Sequence, residues 1–199
     1  MQMRTQGVRA TATVLVAGLL LTGCTGDPAP VATTTQASAT AAPTPSPTPT
    51  PTLDTTVPPE RPEAMATPSP EGAAAAASYF ISLYPYVYAT GDLAEWDQLS
   101  AGGCAFCDST RAGATRVSQG KGRVEGGEIT ITDAVGTEIE AEHWYSAKVT
   151  ATEAPSSEVD MNGIALSASE GGRYLFTVAL TFVDGRWTVD AVDVESTTG

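Results

Sequence analysis

The chain has 199 residues and a formal net charge of −13. Without Arg4 and Arg9, which lie in its N-terminal export segment, eight basic residues oppose 23 acidic ones and the net charge is −15. A surface so acidic repels phosphate backbones and anionic headgroups, which argues against nucleic-acid binding and against electrostatic docking on membranes. Residues 71–199 remain for folding once the export segment and a proline-rich stretch are set aside, which suits one domain with one core.

An export signal is predicted over residues 1–23. Residues 1–9 carry two arginines and no acid, and residues 10–21 form an apolar run that suits a signal-peptide core and is too short to span a bilayer. The run ends in Leu21-Thr22-Gly23-Cys24, which resembles the bacterial lipoprotein box. The resemblance implies that Cys24 is acylated with a palmitate-type anchor, which would hold the protein on the extracytoplasmic face of the cell membrane. An ordinary secretory signal or an uncleaved anchor is the alternative.

A disordered tether is predicted to follow, so that Cys24 and the tether together cover residues 24–70. The segment is rich in Thr, Ala and Pro, and proline removes backbone donors and favours extended conformations. At about 3.1 Å per residue in polyproline II, it would reach on the order of 140 Å. Serine and threonine between prolines suit O-glycosylation, and an unmodified spacer is the alternative.

Three helices are predicted at the start of the domain. An alanine run from Gly72 leads into apolar residues at spacings of three and four, and Pro85 predicts a kink near Ser82 or an early end. Asp92 is expected to cap a second helix over residues 93–99, with Glu95 completing a capping box. A third helix is predicted from residues 102–107 to about residue 119.

Cys104 and Cys107 form an even pair of thiols once Cys24 is acylated. In an oxidising compartment such a pair predicts a local structural disulfide, here at the turn between the second and third helices. A thioredoxin-like redox pair is one alternative, although its C-x-x-C motif follows a buried strand, and here helix and glycine precede the motif. Zinc is the other alternative, and it would need four ligands where the chain offers two thiols and His143.

Antiparallel strands are predicted from residue 124 onward, where β-branched residues alternate with polar ones. Two-residue turns are expected at Asn162-Gly163 and Asp184-Gly185, and a change of phase after Trp187 predicts a bulge near Asp190-Ala191. A longer turn is expected over residues 136–142. The predicted strands cover residues 128–135, 144–152, 159–169 (as a ribbon), 173–183 and 186–195.

Helices first and strands after them predict an α+β domain, with the N-terminal helices packed on a curved, mostly antiparallel sheet of about four strands. This order of elements resembles the NTF2-like or cystatin-like cone folds.

A second resemblance rests on short motifs in sequence order. They are Pro62-Glu63-Ala64, Glu71-Gly72-Ala73, Tyr88-Ala89-Thr90-Gly91-Asp92, Cys104-x-x-Cys107 and Asp184-Gly185-Arg186-Trp187-x-Val189. Together with the lipoprotein box and the tether, they are similar to a family of short actinobacterial lipoproteins that is classed as a domain of unknown function. This resemblance implies location and fold, and it lends no activity.

No catalytic, cofactor-binding or metal-binding residue can be assigned from the sequence. The G-x-S-x-G, H-E-x-x-H, P-loop and G-x-G-x-x-G motifs are all missing. His143, the single histidine, is expected on the surface, with a pocket acid or base as the alternative. Asp160-Met161-Asn162-Gly163 starts like a calcium loop but lacks its later acids, so a turn is expected there.

These observations favour a non-catalytic binding or interaction module. Its partner would be a cell-envelope protein, peptidoglycan or a small molecule, bound at the mouth or open face of the cone. A small cone-fold enzyme or a C-x-x-C redox protein at the cell surface is the alternative. A closed apolar interior would remove the enzyme, whereas a cavity that holds an aspartate or His143 with a perturbed pKa would favour it.

Overall fold

The structure, a computed structural model, describes residues 54–197. The predicted signal peptide, Cys24 and the tether up to residue 53 lie outside the described residues. Within them the chain forms a short 3-10 helix (Glu63–Ala66), three α-helices and seven strands. The helices are α1 (Pro70–Thr90), α2 (Ala94–Leu99) and α3 (Ala105–Gln119). The strands are β1 (Arg123–Gly126), β2 (Ile129–Glu140), β3 (Trp144–Glu153), β4 (Ser156–Val159), β5 (Ala165–Ser169), β6 (Gly172–Val183) and β7 (Arg186–Ser196).

The strands form two antiparallel sheets. A four-stranded sheet has the order β2-β3-β6-β7, and a three-stranded sheet has the order β1-β4-β5. The prediction of one sheet of about four strands is therefore incomplete, although the α+β class is confirmed. Gly126 and Gly127 both have positive φ angles, 78° and 74°, which interrupt the extended conformation between β1 and β2. Ala154 and Pro155 separate β3 from β4, so these short strands leave the main sheet.

The first helix is continuous. Of the two outcomes predicted for Pro85, a kink or an early end of the helix, the early end is wrong. Helix α1 runs through Pro85 to Thr90 and ends at Gly91, whose φ is 75°. Proline removes one backbone hydrogen bond, but apolar residues on both sides of it, Leu83 and Val87, are fully buried. Packing against the sheet therefore outweighs the local preference to break.

Strand β2 also differs from the prediction, because the turn expected over residues 136–142 begins only after Glu140. Gly136 lies inside the strand, where it faces the start of α1. A Cβ atom built on Gly136 would lie 1.9 Å from the carbonyl oxygen of Pro70. This glycine therefore permits close approach of helix and strand and does not mark a turn.

Both predicted hairpins and the bulge are confirmed, but of the two turns only Asp184-Gly185, between β6 and β7, has the predicted length of two residues. Asn162-Gly163 lies in a longer connection between β4 and β5, which spans residues 160–164. Ala179 pairs with Ala191 and Leu180 with Val189, so Asp190 is the extra residue of the bulge.

Residues 54–69, which the composition assigned to the tether, contact the domain. Met65 is buried in the core, and its carbonyl oxygen accepts a hydrogen bond of 2.8 Å from Trp187 Nε1. Arg61 pairs with Glu95 at 3.2 Å and lies over the ring of Tyr79. Contacts with the domain thus begin well before the predicted boundary at residue 71.

The core lies between the helices and one face of the four-stranded sheet. In the centre of β6 the side chains that face the helices, Phe176, Val178 and Leu180, are buried. The opposite face of the sheet carries exposed apolar side chains, including Val135 and Trp144. None of the helices in residues 54–197 is both long and apolar enough to cross a membrane.

Candidate functional site

Strand β3 places a carboxylate at the end of the buried face of the sheet. Tyr145, Ala147, Val149 and Ala151 alternate along β3 and are all buried. Because side chains alternate between faces, Glu153, two residues beyond Ala151, continues this inward row. An acid therefore stands where the core would otherwise continue.

Glu153 lines a mostly apolar cavity of about 180 Å³ between α1, the start of α3 and the sheet. Its main-chain neighbour across the sheet is Ile129, which also lines the cavity. The walls are otherwise aliphatic and aromatic, and among the described residues Glu153 is the single charged one that lines them. The lining residues are Ile81, Tyr84, Phe106, Ile129, Glu153, Tyr174, Phe176 and Val194.

A second, more polar chamber adjoins the first at the small sheet. Its volume is about 340 Å³, and it shares Tyr84, Glu153 and Tyr174 with the apolar chamber. The remaining walls are the backbone at Gly126 and Gly127 and the side chains of Pro85, Tyr88, Val124, Ser156 and Ser169. We call the two spaces the inner and the outer chamber. Glu153 lies at their junction.

Helix α1 supplies one aromatic wall. Ile81, Tyr84 and Tyr88 are three and four residues apart, so they project from one face of the helix. The rings of Tyr84 and Tyr88 lie 4.9 Å apart between centroids. Tyr88 is held against α3, where a Cβ atom on Gly113 would lie 2.2 Å from the Tyr88 hydroxyl. The contact therefore depends on glycine at position 113.

The disulfide positions the other aromatic wall. Cys104 and Cys107 are joined by a disulfide bond at the start of α3. Phe106 sits between the two cysteines in sequence, and its ring lies 6.2 Å from that of Tyr84. Trp96 supports this corner from α2, because its Nε1 donates a hydrogen bond of 3.2 Å to the carbonyl oxygen of Cys107.

Burial of both cysteines favours a structural role over a redox one. Cys104 and Cys107 are 1% and 0% exposed, and thiol exchange requires access for an attacking thiolate. Helix α2 precedes the pair, as the sequence predicted. Zinc has no support in residues 54–197, where no group of three or more His, Cys, Asp and Glu could hold a metal ion.

Burial governs the electrostatics of the junction. Desolvation raises the pKa of the Glu153 carboxyl above its ordinary value of 4.5. The pKa of the Tyr84 hydroxyl is raised as well, first by desolvation and then by the neighbouring Tyr88 and Glu153. Within the described part of the chain, no lysine, arginine or histidine lines either chamber. Both groups are therefore held in environments that disfavour negative charge.

Glu153→Gln should stabilise the protein at neutral pH. The carboxyl pKa is raised in the folded state, so folding favours the protonated form and the ionised form opposes folding above that pKa. We expect Tm at pH 7 to rise by on the order of 2 °C. The gain should vanish as the pH falls below 4.5, where wild-type Glu153 is protonated in both states. Thermal unfolding at pH 7 and pH 4 measures this, with the exposed-site variant Glu140→Gln as the control. Equal Tm values for Glu153→Gln and wild type at pH 7 would contradict it.

The sequence of residues 54–193 matches a family of unknown function, DUF6318. The chain belongs to this family. Its membership agrees with the resemblance to a domain of unknown function and assigns no activity. Among curated proteins, none matches the sequence significantly.

Solved structures share the cone-like α+β fold. The intermembrane space region of the chloroplast protein ARC6 superposes with a TM-score of 0.51 and 10% sequence identity, over 65% of this chain and 98% of that one. Aln2 from a Streptomyces species is 17% identical over 65% of this chain and 93% of that one, with a TM-score of 0.37. At this identity the first similarity shows the fold alone.

The other residues that the sequence singled out lie away from the chambers. His143 is exposed at the turn between β2 and β3, as expected for a surface residue. Asp160 forms the expected turn, since its Oδ1 accepts hydrogen bonds from the backbone of Asn162 and Ile164. Asp92 accepts from the backbone N–H of Ala94, whereas Glu95 pairs with Arg61 and does not complete a capping box.

Sequence reasoning missed Glu153. The predicted second strand ends at residue 152, one position too early, and the acids are scattered along the sequence. The alternation of Tyr145, Ala147, Val149 and Ala151 was the available signal, because one further step of two places Glu153 on the buried face. Its surroundings could not be predicted, since α1 and α3 come from elsewhere in the chain.

Proposed function

We propose that this protein is an extracytoplasmic lipoprotein of the actinobacterial kind that its sequence resembles, anchored by Cys24, and that its NTF2-like domain binds a small molecule. The binding site is the pair of chambers joined at Glu153. One observation carries the proposal: an apolar cavity is open to a half-buried carboxylate and bordered by aromatic rings. Apolar walls with a few convergent polar groups are the usual form of a ligand site.

The size of the inner chamber limits the ligand. A dry, apolar cavity of about 150 Å³ is known to bind benzene in another protein. The inner chamber, with about 180 Å³, therefore accommodates a phenyl ring or a short alkyl chain. Anything larger must extend past Glu153 into the outer chamber, which the polar residues Ser156 and Ser169 also line.

A proton-transfer enzyme is the second candidate, and the raised pKa of Glu153 favours it. Catalysis would need a second group that receives or supplies the proton, or stabilises developing charge. The ionisable neighbours in the chambers are the tyrosines, and burial raises the pKa of Tyr84 still further from neutrality. Binding needs no second proton-transfer group, so it accounts for the arrangement more simply than catalysis does.

Filling the inner chamber should abolish small-molecule binding. Val194 lines the chamber at its rim and is 39% exposed, so Val194→Trp can place an indole in the cavity without overpacking the core. We expect the affinity for benzene-sized aromatic compounds to fall by at least about tenfold, because a filled cavity offers no buried apolar area. Ligand-observed NMR on the purified protein measures this.

The matched control is Val183→Trp. Val183 is also an exposed valine of the main sheet, 48% exposed, and it lines neither chamber. Wild-type binding by Val183→Trp together with loss in Val194→Trp would support the site. Unchanged binding in Val194→Trp would mean that the ligand binds elsewhere.

Cys24→Ala should release the protein from the membrane. Two acyl chains, at about 0.8 kcal/mol per buried methylene, hold a protein stably, and without the thiol no diacylglycerol can be attached. We expect the Cys24→Ala protein in the medium, and the neighbouring Thr25→Ala control in the membrane fraction. Fractionation with a high-salt wash and immunoblotting measures this. Retention of Cys24→Ala in the washed membranes would refute the lipid anchor.

A further inference from the structure

We infer that the ligand is a small organic cation, in which an ammonium or quaternary ammonium group lies at Glu153 and a hydrocarbon body of about the size of a phenyl ring fills the inner chamber. The inference rests on the proposed function, because it names the class of ligand for the same site. Three features of the site favour such a ligand: the charge of Glu153, the rings around it and the outer chamber beside it.

The Glu153 carboxylate has no cationic partner in residues 54–197. Ion pairs in this part of the chain join arginines to Glu95, Asp97, Asp108, Glu158 and Glu125. Glu153 takes part in none of them, and no basic residue lines the chambers. A half-buried carboxylate without a partner is costly, so a ligand that brings a positive charge gains more here than a neutral one.

Aromatic rings surround the same junction. Tyr84, Tyr174 and Phe106 line the inner chamber, and Tyr88 joins them in the outer one. The ring of Tyr84 lies 4.9 Å from that of Tyr88 and 6.2 Å from that of Phe106. The faces of aromatic rings are negative and attract cations, and grouped rings of this kind bind alkylated ammonium groups in proteins. Carboxylate and rings therefore favour the same charge.

Space for the cation exists beside the carboxylate. Gly127 has no side chain, and a Cβ atom built there would lie 3.8 Å from Glu153 Oε1. Its φ of 74° disfavours any residue with a side chain, so no side chain from this position crowds the carboxylate. An ammonium nitrogen lies about 2.7–2.9 Å from a carboxylate oxygen that it pairs with, and here it would approach from the outer chamber, which Glu153 lines.

Three matched probes test the inference: phenethylammonium, the neutral phenethyl alcohol and the anionic phenylacetate. All three carry one phenyl ring, so the inner chamber receives the same group. The full chain is purified in dodecyl maltoside micelles, and binding is measured at pH 8 by calorimetry with protein-free micelles subtracted. We expect the ammonium to bind at least about tenfold more tightly than the alcohol, and the carboxylate to bind most weakly.

Two variants locate the preference. Glu153→Gln keeps the shape of the side chain and removes its charge, so it should lose most of the preference for ammonium and keep only the part that the aromatic rings supply. Glu140→Gln removes one exposed charge on β2 and should keep the preference of the wild type, which separates a local contact from a general effect of net charge.

The outcomes separate the inference from the proposed function. Binding of the alcohol as tightly as the ammonium would overturn the cation inference and leave the binding site intact. A preference for ammonium in Glu153→Gln as large as that of the wild type would overturn it as well. No binding of any probe by wild type would count against the proposed function itself.

Discussion

Gly136→Ala should destabilise the domain by about 3 kcal/mol, which corresponds to a fall in Tm of about 6–12 °C for a domain of this size. The added Cβ atom would lie 1.9 Å from the carbonyl oxygen of Pro70 and 2.7 Å from its carbonyl carbon. Both are backbone atoms of the first residue of α1, so no side-chain rotation can relieve the overlap. Strand β2 and helix α1 must therefore separate.

Gly102→Ala is the matched control for this substitution. Gly102 is exposed, and a Cβ atom there would meet no atom within 4 Å. Its Tm should stay within about 2 °C of the wild type. Since Ile81 and Tyr84 belong to α1, displacement of the helix by Gly136→Ala should also weaken ligand binding at temperatures where the variant is still folded. A Tm for Gly136→Ala within the range of the control would contradict the close contact.

The β6–β7 hairpin and its bulge, together with the position of the β4–β5 hairpin, were the most predictable parts of the chain. Turn residues and alternation each set their features locally, so Asn162-Gly163, Asp184-Gly185 and the bulge at Asp190 could be located from the sequence. The helix ends were equally local, since Gly91 stops α1 with a positive φ. In these places the nearest neighbours in the chain decide the conformation.

The errors share one physical cause, which is contact between distant segments. Pro85 and Gly136 carry local signals for a break and a turn, yet packing between α1 and the sheet overrides both. Residues 54–69 have the composition of a tether, but Met65 is held by Trp187, 122 positions away. The candidate site depends on such contacts throughout. Its charged residue comes from β3, and its aromatic walls come from α1, α3 and β6.

The Cys104→Ala, Cys107→Ala double variant should lose about 3 kcal/mol of stability and about 6–12 °C in Tm. Opening so short a loop accounts for about 2 kcal/mol in the chain-entropy description. The backbone N–H of Cys107 also donates to Cys104 Sγ at 3.2 Å, which caps α3, and loss of a cap costs about 1 kcal/mol more. Alanine adds no polar atom to the buried site. Thermal unfolding with and without reductant measures the effect, since reductant should lower the Tm of the wild type and leave that of the variant unchanged.

The same double variant should also weaken ligand binding. Phe106 lines the inner chamber from between the two cysteines, so loosening this turn should weaken probe binding severalfold even below the unfolding transition. Phe106→Leu keeps the disulfide and removes the ring, so it should weaken binding with a smaller loss of Tm.

In native wild-type protein the buried sulfur atoms should resist reduction by glutathione and become reactive only after unfolding. Rapid reduction of the folded protein would refute this, because it would show that an attacking thiolate reaches the pair. The disulfide would then be a reactive group of its own. If reduction is slow, the disulfide instead has the structural role that its position indicates, which is to support the aromatic wall beside Glu153.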